Sequence, residues 1–222
     1  MLEHIQVDYK VYSTAFTIKK ALKELVDHKV ISFDTETQSI YSKEDKQEAR
    51  ELLKDELAPE DTKLCKLVAR SSGLSNPRLI KITHFIFGTS RSSAIICIAN
   101  DRKTEEMIFN WLADYKGKVI IHNSLFDLKI MYERVTRLPN DYEDTMLMLK
   151  TLINDCEDWN AKVGLKDFMG QYYDPKWTMI DTYDIEDYKD KDFLRYCAID
   201  GASTYYAYEI IKEQINDTSR YA

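Results

Sequence analysis

The stretch VISFDTET, residues 30–37, constrains the fold more than any other part of the sequence. It begins as an apolar strand and follows an amphipathic helical pattern over residues 15–28, an order typical of an α/β domain. Successive side chains of a strand point to opposite faces, so Asp34 and Glu36 lie side by side on one face. Two carboxylates that close repel each other unless a divalent cation or a basic side chain lies between them. The pair therefore either ends a strand in water or forms part of a cation site.

Further strand and helix patterns alternate along the rest of the chain, which favours the same α/β class. Strands are predicted at residues 9–14, 30–34, 78–88, 92–99 and 116–121, with the third and fourth joined as a hairpin. Helices are predicted at residues 15–28, 103–115, 143–153, 165–174 and 191–215, and within 122–135 after a polar turn. Asp144 is the expected N-cap of the helix at 143–153. Strand-to-helix junctions with polar turns are common places for a site in α/β sheets.

Residues 42–71 differ in texture from the rest of the chain. They are dense in charge, rich in helix-forming residues and interrupted at Ala58-Pro59, which predicts two short surface helices. Such an insertion is either a solvent-exposed surface segment without a specific role, or a lid or docking element. A chain of 222 residues has room for one full-sized domain, so we expect a single domain over 1–222 that contains this insertion.

Composition and charge exclude several classes of protein. The chain is 44% hydrophobic and 31% charged with 6 Gly and 4 Pro, as in soluble globular proteins. No apolar run approaches the ~20 residues of a membrane span and the first residues lack an apolar signal core, so we expect a cytoplasmic protein without membrane partners. The four cysteines are far apart and form no C-x-x-C pair, which argues against structural zinc and a disulfide framework.

The charge balance limits how the chain could bind nucleic acid. The formal net charge is -7, and residues 155–192 contain 11 acids against 5 lysines. Sequence-independent binding to duplex nucleic acid depends on many phosphate contacts from Lys and Arg, so the net negative charge disfavours it. Local binding of nucleic acid through metal ions is still compatible with the composition.

Two further acids join the Asp34 and Glu36 pair as candidates. Asp127 follows Asn123 by four residues in a predicted helix, where the two can share a face. Asp200 lies inside the otherwise apolar YCAIDGAS, one turn after Tyr196; such an acid is at least partly buried and needs a partner. Taken singly, each also fits a structural role, as a cap, an ion-pair partner or a core residue. Together they favour a site.

Three segments resemble the motifs of a known family. FDTET, HNSLFDLKIM and YCAIDGAST occur in the order of the three exonuclease motifs of the DnaQ-like 3′-to-5′ exonucleases with four acidic residues, within the ribonuclease H-like superfamily. Tyr196 stands four residues before the last Asp, with Arg195 where the other subclass has His, so the chain resembles the tyrosine subclass. The similarity runs from about residue 8 to 212. It is greatest to the proofreading domain of family A DNA polymerases, with the RNase D group close behind.

The resemblance implies a fold and an activity. The fold is a ribonuclease H-like mixed five-stranded sheet flanked by helices, with the insertion at 42–71 following the first catalytic strand. The activity is metal-dependent hydrolysis of phosphodiester bonds from the 3′ end of single-stranded DNA, in proofreading or DNA processing during replication. A polymerase or another replication partner and a bacterial or viral origin are part of the same expectation. Because the similarity already spans about residues 8–212 of the 222, we expect no polymerase domain within these residues.

The resemblance also assigns the metal-binding acids, which are Asp34, Glu36, Asp127 and Asp200. They would hold two divalent cations, Mg²⁺ or Mn²⁺, which prefer oxygen ligands. Asp34 is expected to lie between the two cations. Glu36 and Asp200 are expected to complete the site of the cation that activates water, and Asp127 to support the second cation. Tyr196 is expected to orient the attacking water through its hydroxyl group.

Substrate contacts are expected from three residues near these acids, Thr35, Thr37 and Asn123, although Asn123 could instead hold the helix of Asp127. His122 is interpreted as structural. Two alternatives stay open. One is an RNase D-like 3′-to-5′ exoribonuclease, because motif spacing carries no information about contacts to the 2′-OH. The other is a catalytically silent exonuclease fold that binds nucleic acid or protein, against which the intact set of acids and the tyrosine weigh.

Overall fold

The computed structural model describes residues 5–54, 59–69, 76–99, 101–155, 162–179 and 190–216. The chain divides into two compact units. The first comprises Met1–Glu36 and Thr83–Ala222, and the second comprises Thr37–Ile82. The second unit is therefore wider than the insertion predicted at 42–71.

Seven strands lie in the described residues, and they form two ladders. The strands are β1 (Asp8–Tyr12), β2 (Val30–Ser32), β3 (Asp34–Ser39), β4 (Ile80–Ser90), β5 (Ser93–Ile98), β6 (Lys118–Ile121) and β7 (Tyr142–Asp144). One ladder has the order β1-β5-β4-β3 and the other β2-β6-β7. The hairpin of β4 and β5 is antiparallel, whereas β1 with β5, β2 with β6, and β6 with β7 are parallel. The strands are thus mixed in direction, as predicted.

The segment from β2 to β3 runs from one ladder into the other. Phe33 separates the two strands, and its N–H donates to the carbonyl of Ile120 at 2.7 Å. The ring of Phe33 is fully buried and packs on Phe87, with ring centroids 5.5 Å apart. Phe85 and Phe109 extend this aromatic core, with their ring centroids 5.0 Å apart. The residue that precedes Asp34 is therefore anchored in the core.

The helices flank these strands. They are α1 (Ala15–Leu25), α2 (Lys43–Leu52), α3 (Pro59–Ala69), α4 (Arg102–Asp114), α5 (Leu125–Val135), α6 (Thr145–Asp155), α7 (Leu165–Tyr172) and α8 (Lys191–Asn216). Side-chain caps explain where several of them begin. Thr14 accepts from the N–H of Thr17 at the start of α1, and Asp101 accepts from Thr104 at the start of α4.

The predicted fold class is confirmed, with one addition to the strands. The five predicted strands correspond to β1, to β2 with β3, and to β4, β5 and β6. The additional strand is β7, which has only three residues and leads directly into α6. So short a strand carries no alternation that a sequence pattern can detect. Asp144 ends it and also caps α6, as predicted, by accepting from the N–H of Met146 at 2.8 Å.

The second unit contains the two predicted surface helices. Ser42 and Asp45 form a capping box at the start of α2, and α2 packs against α3. Ala49 is the buried residue of α2. Residues 55–58 and 70–75, which include part of the predicted break, lie outside the described residues.

Two other predictions fall partly outside the described residues. The acid-rich stretch at 155–192 includes residues 156–161 and 180–189, which are not described, and Cys156 is among them.

Cys97 and Cys197 are buried free thiols and Cys65 is half-buried, so none of these three forms a disulfide. In the described part of the chain, no helix is both long enough and apolar enough to cross a membrane.

Candidate active site

Three carboxylates from distant parts of the first unit converge. Asp34 and Glu36 lie on β3, and Asp200 lies in the middle of α8. One oxygen of each carboxylate lies within 4.8 Å of the corresponding oxygens of the other two. The alternation along β3 therefore brings the first two acids to one place, and α8 supplies the third.

The fourth candidate acid, Asp127, lies beside this cluster. It is in the first turn of α5 and only 2% exposed. Its Oδ1 accepts a hydrogen bond of 2.6 Å from the Oγ1 of Thr35, the buried residue between Asp34 and Glu36. The same strand thus gathers two acids on one face and holds a third through the side chain that alternates with them.

Burial raises the pKa of every acid in this group, and repulsion among the acids adds to this effect at Asp34 and Glu36. Burial followed by the charges of Asp127 and Glu36 raises the pKa of Asp34 well above its ordinary value. Burial followed by Asp200 raises the pKa of Glu36 to about 8, and burial raises the pKa of Asp127 to about 7. The pKa of Asp200 is also raised by burial. The ionised cluster therefore needs nearby positive charge.

The chemistry of the cluster fits divalent cations. All of its side-chain donors are carboxylate oxygens, which hard cations such as Mg²⁺ and Mn²⁺ prefer. A cation would offset the burial of these carboxylates and the repulsion between them, and so favour their ionised forms. Asp34, Glu36 and Asp200 are the residues that would hold it, with Asp127 beside them.

Tyr196 lies one turn before Asp200 on α8 and is buried. Its hydroxyl group lies near the carboxylate of Asp200 and lowers the pKa of that acid. The Nζ of Lys166 donates to the same hydroxyl oxygen at 3.1 Å and lies 4.5 Å from the centre of the ring. Burial and the neighbouring acids raise the pKa of Tyr196 far above its ordinary value, so its hydroxyl keeps its proton.

A cavity of about 350 Å³ opens beside the acids. Its lining combines acids of the cluster with residues of α7, α8 and the turn after β6: Asp34, His122, Gly164, Leu165, Lys166, Asp167, Asp200 and Thr204. The Nδ1 of His122 is 2.9 Å from the Oγ1 of Thr145, and burial lowers the pKa of this imidazole. The space next to the carboxylates is thus large enough for a small polar group, with both acids and a lysine on its walls.

Asn123 does not lie on the helix that carries Asp127, which corrects the predicted shared face. The residue is exposed and has φ of 60°, and α5 begins only at Leu125. Asparagine adopts this left-handed conformation more readily than most residues. Asn123 therefore lies in the turn between β6 and α5, and the helix begins two residues after it, at Leu125.

Asp144 stabilises this turn, and its role there was not predicted. Its carboxylate accepts from the N–H groups of Asn123 at 3.1 Å and Ser124 at 2.8 Å, besides those of Met146 at 2.8 Å and Leu147 at 3.3 Å. One buried acid therefore joins the turn before α5 to the start of α6. An acid before a helix predicts only the cap, because the second pair of donors comes from a distant part of the chain.

The two threonines predicted to contact substrate differ in their surroundings. The hydroxyl of Thr35 is buried and donates to Asp127, which assigns this group a role in holding an acid. Thr37 is half-buried on β3 and is the first residue of the second unit. Contacts of Thr35, Thr37 and Asn123 with a nucleotide stay predictions.

A close approach between α8 and β4 positions Asp200, and it too was missed from the sequence. The Oγ of Ser32 donates to the carbonyl of Gly201 at 2.6 Å and accepts from the N–H of Gly88 at 3.0 Å. A Cβ atom on Gly88 would lie 2.3 Å from the Gly201 carbonyl oxygen. The missing side chain at Gly88 thus lets the helix approach the strands directly beside Asp200.

No protein-family model and no curated protein sequence match this chain. Its fold does match solved structures. NrnC of Brucella melitensis, solved with bound Mg²⁺, is 11% identical, with a TM-score of 0.55 over 97% of this chain and 84% of NrnC. The catalytic core of RRP6 from Trypanosoma brucei is 11% identical, with a TM-score of 0.64 over 98% of this chain and 50% of that chain.

A third similar structure is RNase D of Escherichia coli, described as an exoribonuclease involved in structured RNA processing. It is 12% identical, with a TM-score of 0.53 over 96% of this chain and 46% of RNase D. At such identities the likeness concerns the fold. The chain has the mixed α/β, ribonuclease H-like fold of these nucleases.

Proposed function

We propose that this chain is a metal-dependent 3′-to-5′ exonuclease that hydrolyses phosphodiester bonds at the 3′ end of single-stranded nucleic acid. The observation that carries the proposal is the convergence of Asp34, Glu36 and Asp200, with Asp127 hydrogen-bonded beside them, at a cavity in a nuclease fold. NrnC, which shares the fold, has been solved with Mg²⁺. The cofactors of this chain are accordingly two divalent cations, Mg²⁺ or Mn²⁺.

The acids and the tyrosine have different roles in the proposed reaction. Asp34, Glu36, Asp127 and Asp200 bind the cations, and Tyr196 orients the attacking water through a hydroxyl that keeps its proton. Divalent cations bound there supply a lowered pKa for water and neutralise the charge that develops on the phosphate. Burial of the tyrosine ring fixes where its hydroxyl group lies.

The substrate is either RNA or single-stranded DNA, and different observations favour each. The likeness to RNase D, an exoribonuclease, favours RNA. The motif resemblance to polymerase proofreading domains favours single-stranded DNA and a replication role with a polymerase partner. RNA is the first substrate to test, because the support for it comes from the fold.

A catalytically silent binding module is the alternative from another class. Its surface would meet phosphate with four clustered acids, whose charges oppose phosphate binding unless cations intervene. A buried tyrosine hydroxyl beside Asp200 also has no evident use in a binding platform.

Degradation of labelled RNA and single-stranded DNA in Mg²⁺, Mn²⁺ or EDTA tests the proposal. We expect cleavage by the wild type in either cation, none in EDTA, and a loss of at least about 100-fold in Asp34→Asn, which keeps the shape of the side chain and removes its charge. Glu106→Gln, at an exposed acid of α4 paired with Arg102, is the matched control and should cleave normally. Absence of cleavage by the wild type with every cation and substrate would favour the silent module.

A further inference from the structure

Lys166 is a basic side chain placed at the acid cluster without being part of the predicted motifs. It lies in the first turn of α7, is half-buried and lines the cavity beside Asp34 and Asp200. Its Nζ makes two contacts with Tyr196, a hydrogen bond of 3.1 Å to the hydroxyl oxygen and an approach of 4.5 Å to the centre of the ring.

These contacts determine the direction of the tyrosine hydroxyl. A phenol has one proton to donate and lone pairs with which it accepts, whereas an ammonium group can only donate. Because Lys166 occupies a lone pair of the oxygen, the proton of Tyr196 is directed away from the lysine. The carboxylate of Asp200, one turn later on α8, is a nearby acceptor for that proton. The chain Lys166, Tyr196, Asp200 therefore has one consistent set of donors and acceptors.

The charge of Lys166 also acts on the acids themselves. It lowers the pKa values of Glu36 and Asp200 and so opposes the effect of burial on both. The lysine thus stabilises the ionised form of the cluster, as a bound cation would. Two positive charges near one cluster repel each other, so the lysine must weaken the binding of a divalent cation while it orders the tyrosine.

We propose that Lys166 is a positioning residue of this site, which fixes the direction of the Tyr196 hydroxyl beside the acids and, from the wall of the same cavity, tunes how tightly the acids bind cations. The proposal rests on the proposed function. It assigns α7 a role in the chemistry, because the residue that orders the tyrosine comes from this helix rather than from α8.

The test compares Lys166→Met, Lys166→Arg, Tyr196→Phe and the double variant Lys166→Met/Tyr196→Phe with the wild type. Lys162→Met is the matched control, since Lys162 is an exposed lysine four residues earlier that pairs with Asp167. Two quantities are measured: kcat and KM on the RNA or DNA that the wild type cleaves, and Mn²⁺ affinity by calorimetry without substrate.

We expect Lys166→Met to lower kcat about 10-fold with KM within about twofold, and Lys166→Arg to restore most of the loss. The double variant should be no more than about twofold slower than Tyr196→Phe, because the lysine acts through the hydroxyl that this variant lacks. Mn²⁺ affinity should rise about fivefold in Lys166→Met and stay unchanged in Lys162→Met, since only Lys166 lies beside the acids.

Two results would overturn the proposal. The first is a rise in KM in Lys166→Met together with a double variant whose loss of kcat/KM is the product of the two single losses, which would make Lys166 a direct substrate contact. The second is an unchanged Mn²⁺ affinity in Lys166→Met, which would remove its electrostatic role. If the wild type cleaves nothing, the proposed function fails, and the calorimetry still decides: a higher Mn²⁺ affinity in Lys166→Met supports the placement of the lysine at the cluster, and an equal affinity rejects it.

Discussion

At the scale of single residues, alternation along one strand explains most of the site. Asp34 and Glu36 point to one face and converge with Asp200, while Thr35 between them reaches Asp127. The first two acids were predictable, because alternation is a local property of strands. The Thr35 contact was not, since its partner lies 92 residues away and no pattern in either segment specifies it.

Thr35→Val tests whether the threonine hydroxyl holds Asp127. Valine keeps the branched shape and removes the donor, so the buried carboxylate loses a hydrogen bond of 2.6 Å. We expect the free energy of unfolding in urea to fall by about 1–3 kcal/mol, and Mn²⁺ affinity to change because the acid is released from the strand. Thr35→Ser, which retains the donor, is the control. Equal stability of the valine variant and the wild type would show that the bond contributes nothing.

At the scale of elements, helices and strands were predictable and their junctions were not. Amphipathic or apolar patterns of ten or more residues identified every helix that frames the site, including α5 and α8. The predicted shared helix face of Asn123 and Asp127 was wrong, because Asp144 binds the backbone of the turn before α5 and Asn123 takes a left-handed conformation there. The strand β7 was missed because its three residues are too few for an alternating pattern, and its pairing with β6 forms it.

The packing of α8 on β4 makes Gly88 a sensitive position. Gly88→Ala places a methyl group against backbone, 2.3 Å from the Gly201 carbonyl oxygen, so helix or strand must move. We expect a loss of about 1–3 kcal/mol in the free energy of unfolding, together with weaker Mn²⁺ binding because Asp200 moves with α8. Gly164→Ala is the control, since its nearest neighbour is the flexible carboxylate of Asp167 at 3.2 Å. Comparable stability of the two variants would contradict the close packing.

A buried ion pair joins the helix that carries Asp127 to α4. The Nε of Arg134 lies 2.9 Å from the Oε2 of Glu105, with side chains 5% and 6% exposed. Glu105→Gln leaves the guanidinium charge buried without its carboxylate, so we expect a loss of about 3 kcal/mol in the free energy of unfolding. Glu106→Gln breaks the neighbouring exposed pair and should cost no more than about 0.5 kcal/mol. Losses of equal size in the two variants would show that burial of the first pair has no energetic consequence.

At the scale of the whole molecule, the acids that were predicted to bind metal all belong to the first unit. Glu36 is the last residue of its first segment, and the second unit begins at Thr37. The fold class was predictable from the order of three motifs, and metal binding by the four acids stays a prediction. The contacts of Lys166 and Ser32, and the second pair of donors to Asp144, were not predictable, because each joins segments far apart in the chain.

Cation binding should therefore stabilise the folded first unit, because its distant segments supply the acids. Mn²⁺ binds the gathered acids of the folded state and has no such site in the unfolded chain, so it raises the free energy of unfolding by about 2.7 kcal/mol at 100 times its dissociation constant. Thermal unfolding with and without Mn²⁺ measures this increase, with Asp200→Asn as the variant that should lose most of it. An equal increase in that variant would place the cations elsewhere.

The most direct test of the central claim is the direction of cleavage and its need for an end. RNA and single-stranded DNA carrying a 5′ label are incubated with Mn²⁺ and the wild-type protein, beside circular strands of the same sequence. We expect a ladder of 5′-labelled fragments that shorten one nucleotide at a time, no cleavage of the circles, and no ladder with Asp200→Asn. Cleavage of the circles, or release of the labelled 5′ nucleotide as the first product, would contradict a 3′-to-5′ exonuclease.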